Sequence, residues 1–234
     1  MRKVFALLTD FGLVEPYRAQ LSSVLLRRVP DCQILDLSHQ VEPHNILQGA
    51  FFLQASWSHL PKGCIVLAVV DPGVGSSRRI VLLRCGEGFL LAPDNGLPEL
   101  MLRERRIDGV WELPENRYPA DPSPTFHGRD VFAPMAGYLA NGQHPEELGS
   151  PVSLGSLVRL DPREPQLEQG RLETRVLHVD RFGNCVLDLP EHIWQDSVMA
   201  SQGMRMEEPL SLSLPWVRTY AEIPSGAAAI LSGS

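Results

Sequence analysis

The run Cys64 to Val70, CIVLAVV, is the most apolar stretch of the chain, and it ends at once in Asp71-Pro72-Gly73-Val74-Gly75. A short, β-branched apolar run bounded by turn residues reads as a buried central strand. Its surroundings fit a sheet with helices. Val4 to Leu8, Gln33 to Leu37, Arg79 to Arg84 and Gly88 to Ala92 read as further strands, the last two paired through a turn at Cys85-Gly86-Glu87. Arg18 to Val29, Asn45 to Trp57 and Asp130 to Leu139 have helical character; Leu21, Val24, Leu25 and Val29 share one face of the first. This alternation predicts an N-terminal α/β sandwich with a largely parallel central sheet.

Near residue 150 the composition changes. Residues 151–170 are rich in Pro and Ser, with Asp161-Pro162-Arg163-Glu164-Pro165 among them, and read as a linker. Beyond it, Glu173 to Val179, Asn184 to Leu189, Ser211 to Val217 and Ala227 to Leu231 read as short strands, which predicts a smaller C-terminal β-barrel domain over 171–234 after an α/β domain over 1–150.

Composition excludes several classes. A net charge of −7, with no basic run interleaved with aromatics, argues against a nucleic-acid partner. No stretch approaches the roughly 18 apolar residues of a membrane span. The apolar N-terminal run is followed by Thr9-Asp10 rather than by a small-residue cleavage site, so it reads as a first strand and not as a secretory leader. Cys32, Cys64, Cys85 and Cys185 are scattered and form no CxxC pair, which fits a cytoplasmic protein with no zinc site.

Ligands of α/β sheets bind beyond the carboxyl ends of the strands. The apolar runs here end in Thr9-Asp10-Phe11-Gly12, Asp71-Pro72-Gly73-Val74-Gly75 and Pro93-Asp94-Asn95-Gly96, and Thr125-Phe126-His127-Gly128-Arg129-Asp130 precedes a helix. Each alone has a plain structural reading: Asp10 and Asp94 can close turns, Asp130 fits a helix N-cap, and His127 can be a satisfied structural histidine. Together they have the density of a functional site on a rigid scaffold. Gly73-Val74-Gly75 is not a dinucleotide fingerprint, because Arg78 stands where a third Gly is needed, and the Gly-Lys-Ser/Thr of a phosphate loop is absent.

With Arg78-Arg79 and Val179-Asp180-Arg181-Phe182-Gly183-Asn184, the ordered set of motifs resembles the S-adenosyl-L-methionine hydrolase family (adenosine-forming, also called SAM hydroxide adenosyltransferase), which is related to the fluorinases and chlorinases. The resemblance spans Val4 to about Ser232. It implies an N-terminal α/β domain, a C-terminal β-barrel and a homotrimer with the ligand between subunits. It also implies a reaction, S-adenosyl-L-methionine plus water giving adenosine and methionine, with no cofactor and no metal.

The family's catalytic Asp, Arg and His match Asp71, Arg78 and His127. Its ribose-binding Asp matches Asp10, and its adenine-binding Asn matches Asn184, with Phe182 packing on the base. Asp180 matches a contact to the methionine portion, and Asn95 lies in a turn bordering the nucleoside. Glu15 stands where the family usually has Asp, at the substrate's amino group. The chain stops at Ser234, where family members continue through another strand; Ser232 lies at that junction, which helps bind the methionine carboxylate. His44 takes the place of a halogenase aromatic residue and is read as either pocket-lining or surface-exposed. The halogenases lack the Asp71 to Gly75 string and carry an insertion between the segments matching Arg79 to Arg84 and Pro93 to Gly96, so water is the expected nucleophile.

The chemistry suits these residues. A sulfonium leaves as a neutral thioether, so what the reaction lacks is a nucleophile. Arg78 can hold a hydroxide-like anion, His127 can accept or relay a proton near neutral pH, and Asp71 can orient the Arg or the water. Two rival readings remain at this level: a metal-dependent hydrolase using Asp10, Asp71, Asp94 and His127 as ligands, and a nucleoside-binding protein without catalysis.

Overall fold

Neighbouring residues of the first strand belong to different cores. In the computed structural model the described residues are 2–119, 121–160, 166–168, 171–189, 204–206, 212–214, 216–217 and 230–231, and the chain divides into two units, 1–162 and 163–234. The first unit runs β1 (Val4–Thr9), α1 (Tyr17–Arg28), β2 (Gln33–Ser38), α2 (Ile46–Trp57), β3 (Ile65–Val69), β4 (Ile80–Cys85), β5 (Gly88–Pro93), α3 (Glu99–Glu104), β6 (Gly109–Leu113), α4 (Ala133–Ala140), α5 (Pro145–Leu148) and β7 (Ser150–Pro151).

Phe5 and Leu7 of β1, with Ile65, Leu67 and Val69 of β3, pack against Leu21 and Leu25 of α1 and Met135 and Leu139 of α4. Ala6, Leu8, Val66 and Ala68 face the other way, toward Leu53 of α2 and Met101 of α3. A strand with helices on both faces must be apolar at every position, because successive side chains point to opposite layers. This is why β1 and β3 are continuous apolar runs rather than alternating ones.

The sheet has the order β2-β1-β3-β5-β4-β6-β7. The pairs β2–β1, β1–β3 and β3–β5 are parallel; β5–β4, β4–β6 and β6–β7 are antiparallel. The α/β sandwich and the β4–β5 pair therefore agree with the sequence, the pair closing through Gly86, which takes φ +59°. Thr9 pairs with Val69, so the carboxyl ends of β1 and β3 stand level.

Three features depart from the sequence-based expectation. β6 and α3 are not foreseen. The helix before α4 opens with a π-turn, Gly128–Phe132, so Asp130 lies inside the first turn and is not its N-cap; its carboxylate accepts from the Ser123 N–H at 3.1 Å and pairs with Arg129. Residues 151–160, which composition assigns to a linker, pack on the first unit: Leu157 is buried and the Val158 N–H donates to Asp94 at 2.8 Å.

In the second unit the described elements are strands: β8 (Gln166–Glu168), β9 (Arg171–Glu173), β10 (Val176–Val179), β11 (Cys185–Leu187), β12 (Met204–Met206), β13 (Leu212–Leu214), β14 (Trp216–Val217) and β15 (Ile230–Leu231). They pair as β8–β9, β10–β11, β12–β13 and β14–β15. The single strand expected over Glu173 to Val179 is interrupted at Thr174-Arg175, where Arg175 pairs with Asp188 at 2.9 Å. Among the described residues no helix is long and apolar enough to cross a membrane.

Leu67 is fully buried in β3 with helices on both sides. Leu67→Ala is expected to lower the unfolding free energy by about 2–5 kcal/mol in denaturant titration.

Candidate active site

The chain leaves β3 through Val70 and turns twice within eight residues. Val74 N–H donates to the Asp71 carbonyl at 3.2 Å and Ser76 N–H to the Gly73 carbonyl at 3.1 Å. Gly75 takes φ +76°, and a Cβ there would stand 2.5 Å from the Pro124 carbonyl oxygen. The turn after β3 is thus pressed directly against the segment that leads into His127, and only glycine fits that approach.

This contact brings together Asp71, Arg78 and His127. Arg78 Nε donates to both Asp71 carboxylate oxygens at 3.1 and 2.9 Å, and its Nη2 donates to Oδ2 at 2.5 Å. The same Nη2 donates to His127 Nδ1 at 2.9 Å. The side chains of Arg78 and Asp71 are 9% and 4% exposed, so solvent does not compete for these bonds. Tyr118, absent from the sequence-based set, lies close enough to feel the Arg78 charge, and its ring meets His127 edge-on at 6.1 Å. Burial pushes its phenol up. Tyr118 sits in an aperiodic loop, where neither spacing nor pattern marks it.

The network decides a proton position. A guanidinium has only donors, so Nδ1 of His127 must be the acceptor and the neutral ring keeps its proton on Nε2. Burial, and then the Arg78 charge, push the His127 pKa below its ordinary value. The proton-accepting role expected for His127 therefore changes: the lone pair it would use is occupied by Arg78, and Nε2–H is left as a donor.

Asp10 follows β1, beside the β3 end. Its Oδ2 accepts the His44 N–H at 3.0 Å, and His44, whose side chain is exposed, holds a left-handed φ of 66°. Phe11, Tyr17 and Phe126 pack in series, at 6.2 and 5.4 Å, between the Asp10 loop and the His127 segment. Glu15 is exposed on the same loop as Asp10, and its carboxylate approaches Gly12. Asn95, after β5, donates to the Val70 carbonyl at 2.9 Å and accepts the Leu97 N–H at 3.1 Å. It clasps the residue before Asp71, a scaffold role not evident from its turn motif.

In the second unit, Asp180 and Asn184 lie in one hairpin turn. Asp180 Oδ1 accepts the N–H groups of Phe182 and Asn184 at 2.8 and 2.9 Å, and Oδ2 accepts the Asn184 amide at 2.6 Å. Phe182 is 82% exposed at the tip. Ser232 lies outside the described residues.

The carboxylates considered as metal ligands are separately engaged. Asp94 is taken by Arg79 and the Val158 N–H, and Asp71 by Arg78. Among the described residues no three His, Cys, Asp or Glu side chains gather as metal donors.

Residues 5–149 match the family model of the SAM hydroxide adenosyltransferase N-terminal domain, and residues 174–234 match that of the C-terminal domain. The (R)-S-adenosyl-L-methionine hydrolase of Thermus thermophilus is 38% identical over 242 residues, covering 100% of this chain and 89% of the relative. That of Salinispora arenicola is 41% identical over 183 residues, covering 76% and 69%. Fluorinases match more distantly, at 25–27% identity. The crystal structure of an uncharacterized conserved protein from Thermotoga maritima superposes with a TM-score of 0.82 at 27% identity, covering 97% of this chain and 87% of that one.

Two outcomes follow from the geometry. The His127 imidazole, followed by NMR, is expected to titrate below the usual value of about 6.5 and to move upward in Arg78→Met. Because the folded pKa is depressed, this group's contribution to stability is complete above about pH 6.5 and is lost as pH falls toward the folded pKa. Gly75→Ala is expected to cost at least about 1–2 kcal/mol for the left-handed backbone alone, and to lower kcat by parting Arg78 from His127.

Proposed function

Because the chain belongs to the SAM hydroxide adenosyltransferase family, we propose that it hydrolyses S-adenosyl-L-methionine to adenosine and L-methionine, with Asp71, Arg78 and His127 directing water-derived hydroxide at the ribose 5′ carbon. The observation that carries this reading is the Arg78 guanidinium, buried between Asp71 and His127 at the carboxyl end of the central strand.

Balanced, the reaction is sulfonium plus water to adenosine, methionine and one proton. The new bond joins oxygen to the 5′ carbon while the carbon–sulfur bond breaks, its electron pair returning to a neutral thioether. No acid has to assist departure. The site's work is on the nucleophile. Arg78 supplies a permanent positive charge, and His127, held neutral by Arg78, offers Nε2–H to the attacking oxygen. Two such groups favour hydroxide over water at that point, and the proton released on ionisation leaves to solvent. Asp71 locks the guanidinium and keeps the net charge of the pair near zero, so the cationic substrate is not repelled. Exclusion of water strengthens each of these interactions, and holding the partners in line is worth on the order of 7–11 kcal/mol.

Asp10, fixed by the His44 N–H, is read as the carboxylate that accepts both hydroxyls of the ribose, and Glu15 as a contact to the methionine amino group. Asn184, Phe182 and Asp180 are read as adenine and methionine contacts, and Ser232 as a contact to the methionine carboxylate. Since Phe182 is largely exposed in its own unit, a cover from bound ligand or a neighbouring subunit suits it. We accordingly infer a homotrimer with sites between subunits, a C-terminal β-barrel and a cytoplasmic location, the last in keeping with free cysteines among the described residues.

Incubation with S-adenosyl-L-methionine, followed by chromatography, tests the reading. Adenosine and methionine are expected in equal amounts, unaffected by chelator or chloride. Asp71→Ala and His127→Ala are each expected to lower kcat by about 10²–10³-fold; unchanged turnover in both would remove the trio from the mechanism.

A further inference from the structure

Among the described residues outside the catalytic trio, one histidine is almost fully buried and takes no part in the chemistry above: His39, 3% exposed, just past the end of β2. Its Nε2 lies 2.9 Å from Asp36 Oδ1, and its Nδ1 lies 2.8 Å from Oγ1 of Thr9, the last residue of β1, itself fully buried. Asp36 is also paired with Arg18 of α1.

The direction of each proton follows from valence. An ionised carboxylate only accepts, so Nε2 carries a ring proton, and in the neutral ring Nδ1 is then the acceptor for the Thr9 hydroxyl. Thr9 Oγ1 in turn accepts the Phe11 N–H at 3.2 Å. The main chain of His39 adds a second hold: its carbonyl accepts the Gly12 N–H at 2.7 Å. Residues 9, 11 and 12 are thus all fastened, directly or through one hydroxyl, to His39, and the residue enclosed by these anchors is Asp10. Five residues further on, the His44 N–H takes hold of the Asp10 carboxylate.

A buried polar relay of this kind costs desolvation that an apolar pair at positions 9 and 39 would avoid. What it supplies is direction, since each bond has one acceptor and one angle. We propose that His39 is a positioning residue for Asp10: the Asp36–His39–Thr9 relay sets the direction in which the strand-end loop presents the Asp10 carboxylate, and with it the affinity for a ribose diol. The inference rests on the reading of Asp10 as the ribose-binding group. His39 acts through the loop and does not touch the substrate.

The test uses Thr9→Val, His39→Ala and His39→Asn in the full-length chain, with adenosine affinity by calorimetry, KM and kcat for S-adenosyl-L-methionine, and Tm. Thr9→Val, which keeps the side-chain volume, carries the test if His39→Ala does not fold. Thr9→Val and His39→Ala are each expected to weaken adenosine binding and raise KM about tenfold, the size of one buried polar group left unpaired. Their combination adds little more, because both break one network. kcat stays within about threefold, since Asp71, Arg78 and His127 lie on other elements and hold their geometry as a preorganised set. His39→Asn, whose amide oxygen can take the place of Nδ1, recovers most of the affinity. A fall in Tm with adenosine affinity and KM unmoved overturns the proposal, leaving His39 a purely structural residue. Asp10→Ala is measured alongside: if it leaves adenosine affinity unchanged, the ribose reading itself fails and the proposal falls with it.

Discussion

The ion pair between Arg78 and Asp71 is the interaction on which the site depends. Both side chains are nearly excluded from solvent. Removing two charges from water is expensive, and an apolar pair of similar volume could stabilise the fold as well or better. What an apolar pair could not do is hold one guanidinium nitrogen on two partners at once. Nη2 reaches both Asp71 and His127, so the carboxylate fixes the guanidinium plane and the guanidinium fixes the imidazole tautomer. Removing either charge would leave the other buried alone, which makes this network sensitive to single changes and resistant to drift.

The scaffold delivers that pair through ordinary sheet geometry. β1, β3 and β5 are adjacent and parallel, and both faces of β1 and β3 are covered by helices. Their carboxyl ends therefore open on one edge, with Asp10, Asp71 and Asn95 one strand apart. Asn95 pins the Val70 carbonyl, and Gly75 lets the following turn meet Pro124. A charge network placed on strand ends inherits the rigidity of the strands, whereas the same residues on a free loop would lose it to conformational entropy.

Much of this was legible in the chain. Continuous apolar runs identify β1 and β3 because burial on both faces leaves no alternation to obscure them, and the polar turns that follow identify the sheet edge. Other elements were hidden for physical reasons. β6 and α3 are short and flanked by charged residues, so their pattern is weak. Residues 151–160 have a linker's composition, yet Leu157 and the Val158 N–H tie them to the first unit through Asp94. Asp130 has the residue type of an N-cap, but a π-turn begins two residues earlier and draws it inside. The proton on His127 was beyond reach altogether: residue identity allows it to accept or to donate, and only the position of Arg78 decides. Tyr118 and the Thr9–His39–Asp36 relay likewise come from contacts between segments distant in sequence.

In the proposed reaction, oxygen from solvent, held by Arg78 and His127, attacks the 5′ carbon of the ribose while sulfur leaves as methionine. The most direct measurement is turnover of S-adenosyl-L-methionine in water enriched in heavy oxygen, with mass spectrometry of both products. One labelled oxygen in the 5′-hydroxyl of adenosine, and none in methionine, is the expected result. Methylthioadenosine with a homoserine-derived partner, or adenosine without the label, would contradict it.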